Sequence, residues 1–234
     1  MIISHSRKFV FVHIHKTAGE TVTHALLPYL GRTDLVLGGT KLGNLRNLYY
    51  RRTHNVAKHS SAPRIRTFIG GTAWESYFSF AFVRDPIDRM RSLYSYYERM
   101  AAMRQDPSVR NLAYSLPLLR SGDPLGWPGM KAYLEAGSFS EFIRHPKLYQ
   151  DPGASRQFDM VSDGEKVIVD RIGKFEALAE EFRDIAETLD IRSPILPWIN
   201  LSRNSAVPQS DIGPDDSEHL FRKYEKDFVT FGYA

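Results

Sequence analysis

The sequence predicts an α/β fold with a central, mainly parallel sheet, and three observations lead there. Residues 9–14 (FVFVHI) and 78–83 (FSFAFV) are short apolar runs of the kind that fill buried strands. Each run breaks into a turn carrying a cation, Lys16 or Arg84, and then continues into a helical pattern. Strands separated by helices need crossover connections, and crossovers make parallel neighbours.

Taken in order, residues 9–14 are apolar on both faces except at His13, as a central parallel strand requires. A helix is expected over residues 21–30, stopped near Pro28 and Gly31. Residues 35–37 read as a short strand, with a loop at Gly38, Gly39 and Gly43. Residues 41–58 are basic, aromatic and helical in part, and residues 60–70 resemble another helix with Ser61 as its cap. Phe78, Phe80 and Phe82 alternate with smaller residues, the period of a strand. Asp85 then caps a helix whose first position is Pro86. Ile87, Met90, Tyr94 and Tyr97 follow at helical spacing and form its core-facing stripe, well away from Ser92.

Six prolines interrupt residues 101–160, which therefore read as an irregular excursion, the wall or lid of a binding site. Order returns with a strand at residues 167–175, an amphipathic helix at 176–189 and a last helix at 217–228. Residues 1–234 are expected to form a single domain, long enough for a substantial core.

Composition narrows the function classes. A formal charge of +4 is too small for a general nucleic-acid binder but suits anionic ligands. The chain has no cysteine, which excludes disulfides, thiolate nucleophiles and Cys-ligated metals together. Its histidines show no metal-ligand spacing, so no metal is expected. No apolar run approaches the roughly 20 residues that cross a bilayer, and Arg7 and Lys8 lead straight into the first strand without a signal-peptide pattern. A soluble, cytoplasmic protein is the expectation.

The chemistry lies in the two strand–turn–helix segments. A helix start exposes unpaired N–H groups and the positive end of the macrodipole, a ready anion site. In Lys16-Thr17-Ala18-Gly19-Glu20-Thr21, Lys16 supplies charge and Thr17 and Thr21 supply hydroxyls. Ala18 and Gly19 are small enough for the backbone to approach a phosphate, and Gly19 is expected to permit positive φ there. Glu20 opposes an anion but favours the helix dipole. The loop is not a Walker A sequence, because Lys16 precedes the glycine, and an ordinary ATPase or GTPase is disfavoured. In the second segment Arg84 precedes a capped helix and Ser92 follows eight positions later. A guanidinium fork with a hydroxyl suits a terminal phosphate monoester. Singly, each segment also reads as a plain connection with a surface cation; together they suggest a nucleotide with phosphates at both ends.

FVHIHKTAGETV resembles the 5′-phosphosulfate loop of sulfotransferases that use 3′-phosphoadenosine 5′-phosphosulfate (PAPS), and FAFVRDPIDRMRSLYSYY resembles their 3′-phosphate motif. The likeness is to the carbohydrate sulfotransferases, the heparan sulfate 2-O- and chondroitin-type enzymes and their bacterial relatives. It continues through KHSSAPRIRTFIGGTAWESYFSFAFVRDP, VDRIGKFEALAEEF, INLSRNS and YEKDFVTFGY. His15, where the family commonly has Pro, and Glu20, where a small hydroxyl residue is frequent, depart from it.

This resemblance implies a three-layer, P-loop-NTPase-like domain and the donor PAPS, released as 3′,5′-ADP (PAP). It implies a cofactor site of Lys16, Thr17, Ala18, Gly19, Glu20, Thr21, Arg84 and Ser92. His59, in Lys58-His59-Ser60-Ser61, matches the catalytic histidine, and His suits a base that works near neutrality. Lys16 would also neutralise charge on the departing oxygen. His13 reads as a core residue, whereas His15 adjoins the loop mouth. The implied acceptor is a hydroxyl, of a saccharide above all. Residues 46–58 and 103–157 would be its walls, with Trp74, Trp127, Arg51, Arg52, Arg64 and Arg66 as contacts, although each of these singly reads as core or solvated face. Asn200, Ser202 and Arg203 resemble a motif near cofactor or acceptor.

Two other classes stay open. A nucleotide kinase-like phosphotransferase would need a Mg²⁺-binding carboxylate and a Walker-type lysine. A non-catalytic nucleotide-binding protein would keep the fold without need of Lys16 and His59.

Overall fold

A computed structural model describes residues 1–105, 126–192, 195–197 and 212–234, with only the backbone of Arg104 and Gln105. Asn200, Ser202 and Arg203, and residues 106–125 of the expected excursion, lie outside the described residues. The chain divides into two compact units, residues 1–84 with 157–201 and residues 85–156 with 202–234.

In chain order the elements are β1 (Ile2–Ser4), β2 (Phe9–Val12), α1 (Gly19–Leu26), β3 (Leu35–Val36), α2 (Lys41–Thr53), α3 (Ala62–Ile69), α4 (Gly71–Ser76) and β4 (Phe78–Val83). Next come α5 (Pro86–Gln105), α6 (Pro128–Glu135), α7 (Phe139–Arg144), α8 (Gln157–Val161), β5 (Ser162–Asp163), β6 (Lys166–Val167), β7 (Arg171–Lys174), α9 (Leu178–Thr188) and α10 (Pro214–Phe231).

The first unit holds a sheet ordered β3-β1-β2-β4-β7. β2, β4 and β7 pair in parallel, while β1 runs antiparallel to both of its neighbours. The sheet is therefore mixed but mostly parallel, with one reversed strand. Phe9, Phe11, Phe80 and Phe82 share one face, and the Phe11 and Phe80 rings stack at 5.1 Å between centroids. α1 covers that face with Val22 and Leu26, and α9 with Phe182 and Ile185. Each fully buried Phe contributes about 1.5–3 kcal/mol, which makes this face the rigid floor beneath the first turn.

At the reversed strand, Asp34 is buried and accepts hydrogen bonds from Ser4 Oγ, Ser6 N–H, Ser6 Oγ and Gly31 N–H. That knot closes the β1–β2 turn. β1 has no counterpart in the expected elements, because three residues are too few to show a period.

Several boundaries differ from expectation. α1 begins at Gly19, earlier than residue 21, and yields to a 3₁₀ turn, Leu27–Tyr29, with Pro28 inside it. Ser61 sits at the cap of α3 but makes no side-chain cap bond. The run at 167–175 is not one strand. β6 pairs back on β5, and only β7 joins the main sheet. Asp170 divides them, its carboxylate accepting from both the N–H and the hydroxyl of Ser79 at 2.7 Å.

The second unit is helical, built from α5, α6, α7 and α10. Met90, Leu93, Tyr97, Phe142, Leu220, Tyr224 and Phe228 form its core, with Ile87 and Tyr94 packed against them. Asp85 caps α5, its Oδ1 accepting from Asp88 N–H at 2.9 Å. Arg89 is fully buried, and its guanidinium donates to the carbonyls of Gly153 and Ser155 at 3.0 and 2.8 Å. Where the excursion is described it is helical rather than irregular. Pro128 and Pro152 occupy first turns, where a missing N–H costs nothing, so they start elements that they were expected to break.

Candidate active site

The segment between β2 and α1 is conformationally costly. Lys16 and Ala18 both have positive φ, +67° and +61°, with Thr17 between them. Each such residue costs about 1–2 kcal/mol, and strain of this kind persists where the surroundings hold it for a purpose. Ala18 is the N-cap of α1 and brings no side chain to accept from the helix's first N–H groups. The Thr17 hydroxyl donates to the Ile14 carbonyl at 3.2 Å, so its proton is directed into the loop itself. Thr21 is buried on α1.

Gly19 is required here by space rather than by φ. A Cβ at this position would stand 2.0 Å from Cδ2 and Nε2 of His13. His13 is buried and lies flat against Phe11, with centroids 5.6 Å apart. Burial first, then the neighbouring positive groups, holds its imidazole well below the ordinary range.

His59 arrives on a tight turn. Ser60 Oγ accepts from Ala57 N–H at 2.9 Å, and Ser60 N–H donates to the Ala57 carbonyl. The half-buried imidazole then touches the loop twice. Its Nδ1 lies 2.7 Å from the His13 carbonyl oxygen, and its ring stacks on His15 with centroids 3.5 Å apart. A carbonyl only accepts, so Nδ1 carries the hydrogen and Nε2 of the neutral ring holds the lone pair. Burial, then His15 and the Lys58 ammonium, keep this group well below the usual histidine range. The result is a neutral base at neutral pH.

From the sequence Lys58 is expected only as the end of the acceptor wall at residues 46–58, yet its pairing ties it to the loop. Its Nζ pairs with Glu20 Oε1 at 2.9 Å, and its N–H donates to Asn47 Oδ1 at 2.5 Å. Its stem crosses Gly38, where a Cβ would stand 2.3 Å from Lys58 Cδ. Gly38 has φ +80°, so both its conformation and its missing side chain are used. Glu20 thus directs its carboxylate to a lysine, which offsets the charge it brings to the loop.

Arg84 ends β4 with its backbone clasped by one side chain. Its N–H donates to Gln157 Oε1, and its carbonyl accepts from Gln157 Nε2, both at 2.8 Å. The guanidinium lies over the Phe175 ring at 4.2 Å, a cation–π contact that keeps its orientation. Ser92 belongs to the second unit, half-buried on α5. Among the described residues no group of three or more His, Asp or Glu is arranged to hold a metal ion.

The structure therefore gathers Lys16, Thr17, Ala18, Gly19, Glu20, Thr21 and His59 in the first unit, with His15 against His59. Sequence reasoning counted Asn47, Lys58 and Gln157 only within the expected acceptor walls and missed Phe175. Lys58 meets Asn47 and Glu20, and Gln157 and Phe175 meet Arg84, contacts that join positions distant in the chain. The only local signal was the adjacency of Lys58 to His59.

In comparison with known proteins, the chain matches the sulfotransferase family over residues 1–234. No curated protein and no solved structure matches it. The resemblance to carbohydrate sulfotransferases is consistent with that family. A match over the whole sequence settles the class: the chain belongs to the sulfotransferase family and is a transferase enzyme.

Proposed function

We propose that the chain moves a sulfuryl group from PAPS to a hydroxyl of a carbohydrate acceptor, with His59 as base, within one P-loop-NTPase-like, three-layer domain. The residues fit an anionic donor end. α1 starts with no side-chain cap, Ala18 and Lys16 hold strained turns, and a lysine stands in the loop. When bound, PAPS supplies the sulfuryl group and PAP as its leaving group.

Lys16 holds the anionic 5′ end together with N–H groups of the α1 start, and offsets charge on the bridging oxygen. His59 Nε2 would take the acceptor hydroxyl's proton, while PAPS would supply the sulfuryl group and depart as PAP. Arg84, held by Gln157 and Phe175, takes the 3′-phosphate. The role of Ser92 rests on its motif. The chemistry as written needs no metal, and a cytoplasmic location accords with the absence of cysteine.

The observation that carries the reading is the hydrogen bond from His59 Nδ1 to the carbonyl of His13, the residue that leads into the anion loop. The test is thermal stabilisation by PAP against 5′-AMP and against ATP with Mg²⁺, followed by transfer of labelled sulfate from PAPS to a saccharide panel. Preference for PAP, with turnover lost in His59→Ala, is expected. Indifference to the 3′-phosphate would overturn the donor assignment. For Lys16→Ala the loss in turnover should exceed the loss in donor affinity.

A further inference from the structure

α2 is built inside out. Its inward face carries Gly43, Asn47 and Tyr50. Gly43 is buried where a Cβ would meet the Gly38 carbonyl oxygen at 2.4 Å. Asn47 accepts from Lys58 N–H, and Tyr50 meets Phe68 edge-on with centroids 6.0 Å apart. The opposite face holds Leu42, Leu45 and Tyr49 at i, i+3 and i+7, and they are 58, 50 and 59% exposed. A helix of a globular domain ordinarily does the reverse, turning its leucines to the core.

Cations border this apolar stripe on both sides. Lys41 and Arg52 lie along its Leu45–Tyr49 edge, each one helical turn from a stripe residue, and Arg46 lies one turn beyond Leu42 on the other edge. Residues 35–74 contain seven Lys and Arg and no Asp or Glu. Lys58 is paired with Glu20 and Arg66 with Asp163, whereas Lys41, Arg46, Arg51 and Arg52 make no ion pair among the described residues. The surface is thus apolar along its middle and positive along its rims.

We propose that this face of α2 seats on an anionic lipid bilayer, lying in the plane of the headgroups. Leucine and tyrosine enter the boundary with the acyl chains, and the flanking long side chains reach lipid phosphates. The helix has 13 residues, too few to cross. A second copy of the chain is a poor occupant, because two such faces would set Arg46 and Arg52 against like charges. The inference does not rest on the identity of the sulfuryl donor, and its test involves no catalysis.

The test is flotation of the full chain with vesicles of phosphatidylcholine alone and of phosphatidylcholine mixed with phosphatidylglycerol. Binding to the mixed vesicles is expected, falling by about tenfold or more both in Leu42→Ser/Leu45→Ser/Tyr49→Ser and in Arg46→Gln/Arg52→Gln. All five positions lie on the outward face, so circular dichroism should be unchanged. In a Leu45→Trp protein, tryptophan emission should shift to the blue on the mixed vesicles alone. Absence of vesicle binding would overturn the proposal. So would binding that the serine variant retains in full, or polyglutamate binding as tight as vesicle binding, which would mark the face as a site for acidic proteins.

Discussion

Lys58 Nζ lies 2.9 Å from Glu20 Oε1, and the same ammonium bears on the imidazole of His59 next to it in the chain. One pair therefore ties the turn that carries His59, the proposed base, to the helix that begins within the candidate anion loop. It also ties the charge state of His59 to a residue outside the imidazole cluster.

A pH profile follows from that arrangement. A base works unprotonated, and the His59 imidazole is held below its ordinary range by burial, by His15 and by Lys58. The acid limb of kcat/KM for the donor should therefore fall only below the pH where a free histidine titrates, about 6.5. In Lys58→Met the repelling charge is gone and the limb should move up. In Glu20→Gln the ammonium stays, and the limb should not rise. NMR titration of His59 checks the same shift without turnover; an unmoved pKa in Lys58→Met would remove the electrostatic role.

Gly19→Ala should destabilise the protein by about 1–3 kcal/mol, the usual cost of overpacking. That corresponds to roughly 2–4 °C in Tm per kcal/mol for a chain of this size. The cause is the 2.0 Å approach to the His13 ring. A double-mutant cycle with His13→Ala should therefore recover most of the loss. Equal costs in the two backgrounds would show that the ring contact is not the reason.

Ala18→Gly should go the other way. Ala18 has φ +61°, which glycine adopts without penalty. Relief of strain less the extra freedom of the unfolded chain leaves a net gain of about 0.5–1 kcal/mol. Thermal denaturation of the variant measures it, and a lower Tm would mean that the loop stores no strain at this position.

Asp34→Asn should cost about 1–3 kcal/mol near neutral pH, since the carboxylate accepts four hydrogen bonds. Burial pushes this carboxyl up, but the bonds from Ser6, Ser4 and Gly31 outweigh it and hold it below its usual value. A carboxyl lowered on folding contributes stability above its unfolded pKa and loses it as pH falls through the folded pKa. The gap between wild type and variant, read from urea midpoints, should narrow as the pH falls through and below the unfolded carboxyl's 3.8 and stay level towards higher pH. A gap independent of pH would show that charge plays no part.

Much of the frame was legible before any coordinates. β2 and β4 announce themselves by composition and alternation, and α5 by Asp85 and Pro86 at its start, because those signals act within a few residues. The elements that were missed or redrawn depend on longer reach. The strand at 167–175 splits because Asp170 bonds to Ser79, on a strand far earlier in the chain. The excursion is helical where described because its prolines fall in first turns, and a proline's position relative to a helix start is not fixed by its own identity.

The sequence alone determined the two strand–turn–helix segments, the candidacy of Lys16 to Thr21 as an anion loop and of His59 as a base, and membership of the sulfotransferase family. Tertiary structure alone decided what each of these residues does to its neighbours. It placed His59 on the carbonyl of His13 and the ring of His15, turned Glu20 to Lys58, and made Gly19 necessary through an imidazole rather than a backbone angle. Local signals survive in sequence because they link residues a turn apart. Contacts between positions about forty residues apart in the chain exist only once the sheet has brought them together.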